Sequence, residues 1–228
     1  MGGRRDDRGW ARLHPPWGPG AALMALVVDV VVFDGVDELD VVGPVEVLRR
    51  AAAVGADVDV RLCSRGPLDW VTGSFGLRFQ PDHEFAPGEA SLVIVPGGGW
   101  VARSETGAWA EVRRGHWLAL LSQAAEAGSV MAGVCTGAML LAHAGVIGSR
   151  RATTHHDARA DLAVLGATVV AQRVVDEGSL VTAGGVTSGI DLALFLVSRY
   201  FGESVAAVIA DGLEYPWAAV APRLSAES

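Results

Sequence analysis

The stretch "VMAGVCTGAMLLAHAG", residues 130–145, decides the fold. An apolar, strand-like run enters Gly133-Val134-Cys135-Thr136-Gly137, and a second apolar run with helical spacing leaves it. The local pattern admits two readings. One is a small buried thiol at a tight turn. The other is a nucleophile on a strand-to-helix elbow, the thiol counterpart of Gly-x-Ser-x-Gly. In the second reading, Gly133 and Gly137 permit close backbone approach, and the helix N-terminus lowers the thiol pKa from its usual value of about 8.5.

Outward from the elbow the pattern alternates. "ALVVDVVVF" (25–33) is a β-branched run suited to a strand buried on both faces. "DELDVVGPVEVLRRAA" (37–52) has helical spacing at Val41, Val45, Leu48 and Ala52, with Pro44 fitting only near a first turn. "ADVDVRLCS" (56–64) reads as a strand, "DWVTGSFGLRF" (69–79) as a hairpin through Gly73-Ser74, and "SLVIVPGGG" (91–99) as a strand ending in a glycine loop. "GAWAEVRRGHWLALLSQAAEAG" (107–128) reads as one amphipathic helix ended by Gly128. "RATTHH" (151–156) continues the pattern, and "SLVTAGGVTSGIDLALFLVSRYFG" (179–202) gives strand, glycine loop and helix. The expectation is an α/β fold, a mainly parallel sheet covered on both faces. Sites in such sheets form beyond the strands' carboxyl ends. Here "FDGVDELD", "PGGG" and "GVCTG" occupy those places.

Composition bounds the function. The 228 residues are half hydrophobic, as expected for one sizeable domain, placed at 24–216. Residues 1–23 read as a flexible extension and 217–228 as a tail. A net charge of −8 argues against a nucleic-acid surface. No uncharged apolar run approaches the ~18–20 residues of a membrane span, and the N-terminus lacks a signal-type apolar core. These features read as a cytoplasmic protein. The chain has no lysine and no asparagine, which excludes Schiff-base chemistry and a Cys-His-Asn triad. Its two cysteines make no disulfide framework, and Cys63, inside an alternating strand, reads as core.

Other candidates carry weaker local signals. "VPGGGW" can offer backbone N–H groups to a developing negative charge. Asp40 is either a helix N-cap or an acid beside the thiol, while Glu46 lies farther along the helix. His155 and His156 are adjacent, so a strand would aim them at opposite faces. With no HExxH and no CxxC, no metal or cofactor is expected.

As a set, "LDVVGPVEVL" (39–48), "VIVPGGG" (93–99), "AGVCTGAMLLAHAGVIGSRRATTH" (132–155) and "LVTAGGVTSGIDLAL" (180–194) resemble the ThiJ/PfpI superfamily, which has a flavodoxin-like three-layer sandwich. Thr136 stands where peptidase-like members have His, and Asp40 where the parkinsonism-protein-like members have Glu. These residues, with "RATTH", are most similar to the isocyanide (isonitrile) hydratases. The resemblance implies that Cys135 attacks the terminal carbon of R–N≡C and Asp40 handles protons. Thr136 would hold the site, Gly98 and Gly99 would line an oxyanion region, and Trp100 and His155 would line the pocket. It implies no cofactor, a small-molecule substrate and a homodimer. Trp100 after "PGGG" and His156 in place of Trp depart from the pattern. Two alternatives stand beside it. One is the ligand-sensing domain of AraC-type regulators, although only 26 residues follow Gly202, too few for the helix-turn-helix region those proteins carry. The other is a glyoxalase or deglycase.

Overall fold

Apolar β-branched runs are stable as strands when helices cover both faces of their sheet. The computed structural model, which describes residues 25–66 and 69–217, shows this arrangement. The chain begins with β1 (Leu26–Val31), α1 (Glu38–Ala53), β2 (Val58–Ser64), three two-residue strands β3 (Val71–Thr72), β4 (Arg78–Phe79) and β5 (His83–Glu84), and β6 (Leu92–Val95). Then follow α2 (Ala108–Arg114), α3 (His116–Glu126), β7 (Val130–Val134), α4 (Gly137–His143) and β8 (Arg151–Ala152). A 3-10 turn at His156–Ala158 leads to α5 (Arg159–Val164), β9 (Thr168–Val169), β10 (Val174–Asp176), β11 (Leu180–Ala183), α6 (Ser188–Phe201) and α7 (Glu203–Gly212).

Among the described residues the main sheet has seven strands in the order β10-β11-β7-β6-β1-β2-β5. All neighbours are parallel except β10, which runs antiparallel to β11. The helices α1, α6 and α7 pack together in one layer, and α2, α3 and α4 in another. This is the expected three-layer α/β sandwich. Val28, Val30, Leu92, Ile94, Met131 and Val181 fill its centre, each at most 1% exposed. Asp29 interrupts the apolar run of β1. It is fully buried and pairs at 2.7 Å with Arg61, its register partner on β2. Cys63 is buried in the core, as its strand position predicts.

Two local expectations are corrected. The segment 107–128 is two helices, because Gly115 adopts φ +75, a left-handed conformation that ends α2 and opens α3. Pro44 is not in a first turn but inside α1, which starts at Glu38. It has no N–H for the carbonyl of Asp40, so the helix gives up one bond there. The hairpin through Gly73-Ser74 is present, with Gly73 N–H bonded to Leu77 O at 2.8 Å. Among the described residues no helix is long and apolar enough to cross a membrane. The expected extension at 1–23 and residues 218–228 of the expected tail lie outside the described residues.

Candidate active site

Because β1, β6, β7 and β11 are parallel neighbours, the segments after them, 32–37, 96–99, 135–136 and 184–187, share one edge of the sheet. Three of the four are the segments singled out in the sequence. The fourth, "GGVT", supplies what side-chain motifs do not reveal.

Cys135 follows β7 directly and has φ +53, a conformation that strains a non-glycine residue. Neighbouring groups hold it there. Its N–H bonds to Gly184 O at 2.9 Å and Ala183 O at 3.2 Å. Its carbonyl accepts from Thr154 Oγ1 at 2.7 Å. The flanking glycines have the role expected of them. A Cβ on Gly137 would collide with the Val95 carbonyl, and one on Gly133 would press on the backbone of Ala138.

Asp40 is the third residue of α1 and fully buried. The N-cap of that helix is Asp37, whose Oδ1 accepts from Leu39 N–H at 3.2 Å, so the capping alternative for Asp40 is set aside. Asp40 Oδ2 accepts from Gly97 N–H at 2.9 Å. The carboxyl also interacts with the Cys135 thiol, and its buried Oδ1 has no hydrogen-bond partner among the described residues. Glu46 is exposed and pairs with Arg50.

Burial pushes the Asp40 carboxyl well above the usual carboxylate range, and the charge of Asp37 adds to this. Burial also pushes the Cys135 thiol up to about 12, reinforced by Asp40 and opposed by the N–H groups of Val186 and Thr136. This corrects the expectation of a lowered thiol pKa. Desolvation and a neighbouring acid outweigh the helix terminus and its N–H groups. Burial thus favours the protonated form of both groups.

Thr136 is buried beside the thiol, and its Oγ1 accepts from Gly98 N–H at 3.0 Å. The N–H groups of Gly97 and Gly98 are thus taken by Asp40 and Thr136, and neither points freely at the reacting atoms. The donors at the sulfur are Val186 and Thr136. A Cβ on Gly99 would run into the Thr106 carbonyl and the Ser104 side chain. Trp100 is not brought to Cys135. Its ring packs edge-on to Trp109 at 5.0 Å and near His143 at 5.8 Å, and Nε1 donates to Asp161 at 2.8 Å. His143 is the last residue of α4, so Trp100 contacts the end of that helix remote from Cys135. His155 does reach the site, lining a cavity with Gly185 and Val186 and lying in electrostatic reach of Asp37. It sits in a turn rather than on a strand, so its ring stacks on His156 at 4.3 Å instead of facing away from it.

Two cavities flank Val186. One, of about 340 Å³, is lined by His155, His156, Arg159, Arg173 and Gly185. The other, of about 430 Å³, is lined by Asp37, Leu39, Phe75 and Leu77. Among the described residues one group, His155, His156 and Asp157, brings three potential metal-ligand atoms within 4.8 Å of one another. All three come from consecutive residues, and His155 Nδ1 already accepts from Asp157 N–H at 3.3 Å.

Sequence reasoning missed Val186 and Asp37. Val186 acts through a backbone N–H, which no side-chain motif carries. Asp37 carried a signal, since Asp is a favoured N-cap, but Asp40 took the attention.

Known proteins show the same arrangement of chain. An isonitrile hydratase from Pseudomonas putida is 38% identical over 194 residues, covering 84% of this chain and 79% of that protein. The crystal structure of a THiJ/PfpI family protein from Pseudomonas syringae superposes with a TM-score of 0.76 at 25% identity, covering 90% of this chain and 83% of that one. An AraC family transcriptional regulator from Pseudomonas putida gives a TM-score of 0.70 at 23% identity over 82% of this chain and 98% of that one, a likeness of fold. The pattern of the DJ-1/PfpI family runs from residue 27 to residue 199, through the sheet and the elbow alike, and the chain belongs to that family.

Proposed function

We propose that this protein hydrates isocyanides, R–N≡C plus water giving the formamide R–NH–CHO, through a covalent bond to Cys135. The observation that carries the reading is the buried Cys135–Asp40 pair at the elbow, whose burial favours the protonated form of both groups. The 38% identity to an isonitrile hydratase supports it. An isocyanide carbon has a lone pair and must gain a proton before or as a nucleophile adds. A thiolate alone cannot supply that proton, and a protonated carboxyl–thiol pair can.

The steps balance as follows. Asp40 gives its proton to the terminal carbon while the sulfur bonds to the same carbon. The thiol proton passes to the Asp40 carboxylate, leaving the thioimidate R–N=CH–S–Cys135. Water then adds to that carbon, and a proton reaches the imine nitrogen by way of Asp40. The C–S bond breaks, the sulfur regains the hydroxyl proton, and R–NH–CHO leaves. The N–H groups of Val186 and Thr136 stabilise charge on the departing sulfur. Thr136 Oγ1 fixes the glycine loop through Gly98.

Intact-mass spectrometry after mixing with cyclohexyl isocyanide tests the reading. The expected result is formamide in solution and an adduct of one isocyanide mass on Cys135. Cys135→Ala and Cys135→Ser should lose both and stay folded. More than a few per cent of residual turnover in either variant rules out the covalent route.

The AraC-regulator fold supports a second reading, a ligand sensor built on the same pair. It predicts binding without formamide. A deglycase-type reading predicts turnover of methylglyoxal in a parallel assay, where Asp40 in place of Glu argues for isocyanide. We assign the protein to the cytoplasm as a homodimer with a single domain at 24–216. Light scattering at twice the monomer mass would support the dimer.

A further inference from the structure

The four residues Gly184 to Thr187, between β11 and α6, serve the elbow twice. Gly184 O accepts from the Cys135 N–H at 2.9 Å, and Val186 offers its own N–H to the thiol. Val186 has φ +35, a conformation that a β-branched residue keeps only where its surroundings fix it.

One residue holds both ends of this loop. Arg173 directly precedes β10, the strand antiparallel to β11. Its carbonyl accepts from Gly184 N–H at 2.9 Å, and its Nη2 donates to Thr187 Oγ1 at 3.2 Å. The guanidinium is itself aimed. Nε donates to Asp191 Oδ2 at 2.6 Å, and Nη2 pairs with the same oxygen. Asp191, in the first turn of α6, is fully buried, and its Oδ1 accepts from the Tyr215 hydroxyl, beyond α7, at 2.9 Å. Both carboxylate oxygens are therefore engaged. Burying an acid costs desolvation, and an apolar residue of like volume would pack α6 without that cost. What the acid adds is direction, since it holds the planar guanidinium fork in one orientation.

We propose that Arg173 is a positioning residue that clamps the 184–187 loop from both ends and so keeps the Val186 N–H on the Cys135 sulfur, with Asp191 and Tyr215 fixing its guanidinium. The proposal rests on the isocyanide reading for what the sulfur does. In that reading water has added to the thioimidate carbon, and the C–S bond then breaks with its electron pair going to sulfur. A loosened loop stabilises that charge less, so release slows and the covalent species waits on Cys135.

Thr187→Val tests the clamp with little risk to the fold. Thr187 is exposed, and its side chain makes no cap bond to α6. With cyclohexyl isocyanide, kcat should fall about tenfold or more and KM should fall with it, because release alone is slowed. Rapid-quench intact mass should show a larger share of Cys135 carrying the adduct at steady state. Arg173→Gln should show the same pattern more strongly. Arg173→Lys keeps the charge without the fork and should stand between Arg173→Gln and the wild type. Should Arg173→Gln unfold, Thr187→Val decides alone. Wild-type kinetics in the folded variants, or a lower kcat at unchanged KM with no rise in adduct, overturns the proposal. Amide exchange at Cys135 and Val186, followed by NMR, separates it from the isocyanide reading. Hydration by the wild type, with exchange unchanged in Thr187→Val, keeps that reading and removes the clamp. No hydration, with exchange at both amides about tenfold faster in Thr187→Val, removes the reading and keeps the clamp. No hydration and unchanged exchange removes both.

Discussion

Asp40 shows how a residue can serve a site at the fold's expense. In the unfolded chain its carboxyl ionises near pH 3.8, and in the folded protein it stays protonated to a much higher pH. Below the unfolded value both states are protonated and the residue costs nothing. As pH rises through that value the unfolded state loses its proton first and is favoured, so stability falls. Asp40→Asn removes this cost, because an amide does not ionise and its oxygen can still accept from Gly97. Urea unfolding from pH 4 to pH 8 should show Asp40→Asn gaining on the wild type as pH rises, with the gap closing in acid. Formamide production should meanwhile fall by about 10²-fold or more, the scale of lost general acid–base catalysis. A stability difference independent of pH would mean that Asp40 is ionised in the folded protein. Near wild-type turnover would remove its catalytic role.

At the scale of elements, the glycines separate two kinds of constraint. Gly115 joins α2 to α3 at φ +75 with open space around it. Gly137 opens α4 with the Val95 carbonyl where a side chain would stand. Gly115→Ala should cost about 1–2 kcal/mol, the left-handed penalty alone. Gly137→Ala should cost more and also disturb Cys135, because β6 or the elbow must move. Thermal melts paired with the formamide assay check this, and a smaller loss at Gly137 than at Gly115 would contradict it. The same contrast explains what the sequence disclosed. The run before Cys135 and the run after it have different periods, so strand and helix were legible. Gly115 was not, because a glycine inside a helical pattern looks the same whether it bends the chain or merely weakens it. Asp40 and Cys135 were each visible, but their contact joins α1 to the end of β7, and only the sheet order makes it. The Cys135 thiol shifts upward rather than downward because the helix terminus is a local feature and burial is not. Trp100 followed the glycine loop in sequence, yet its indole N–H found Asp161 and turned it away from the thiol.

The whole molecule keeps two buried thiols neutral. Cys63 is pushed strongly upward by burial and by Asp29, and Cys135 to about 12. In the unfolded chain both ionise near pH 9. Stability from this source is intact below that pH and is lost as pH climbs above it, since only the unfolded chain releases the protons. Denaturation between pH 8 and pH 11 should show a steep decline that is shallower in Cys63→Ala/Cys135→Ala. An unchanged slope would assign the alkaline sensitivity to other groups.

The strand order also sets when activity can exist. β7 lies between β6 and β11, and the N–H of Cys135 is held by carbonyls from residues 183 and 184. A nascent chain that has emerged only as far as residue 170 already contains Asp40, Cys135 and the glycine loop. It has no β11 to hold the elbow and no Val186 to face the sulfur. During synthesis the thiol is therefore an ordinary cysteine until the last strand pairs, and arrested chains on ribosomes should form no adduct with an isocyanide until about residue 190 has cleared the exit tunnel.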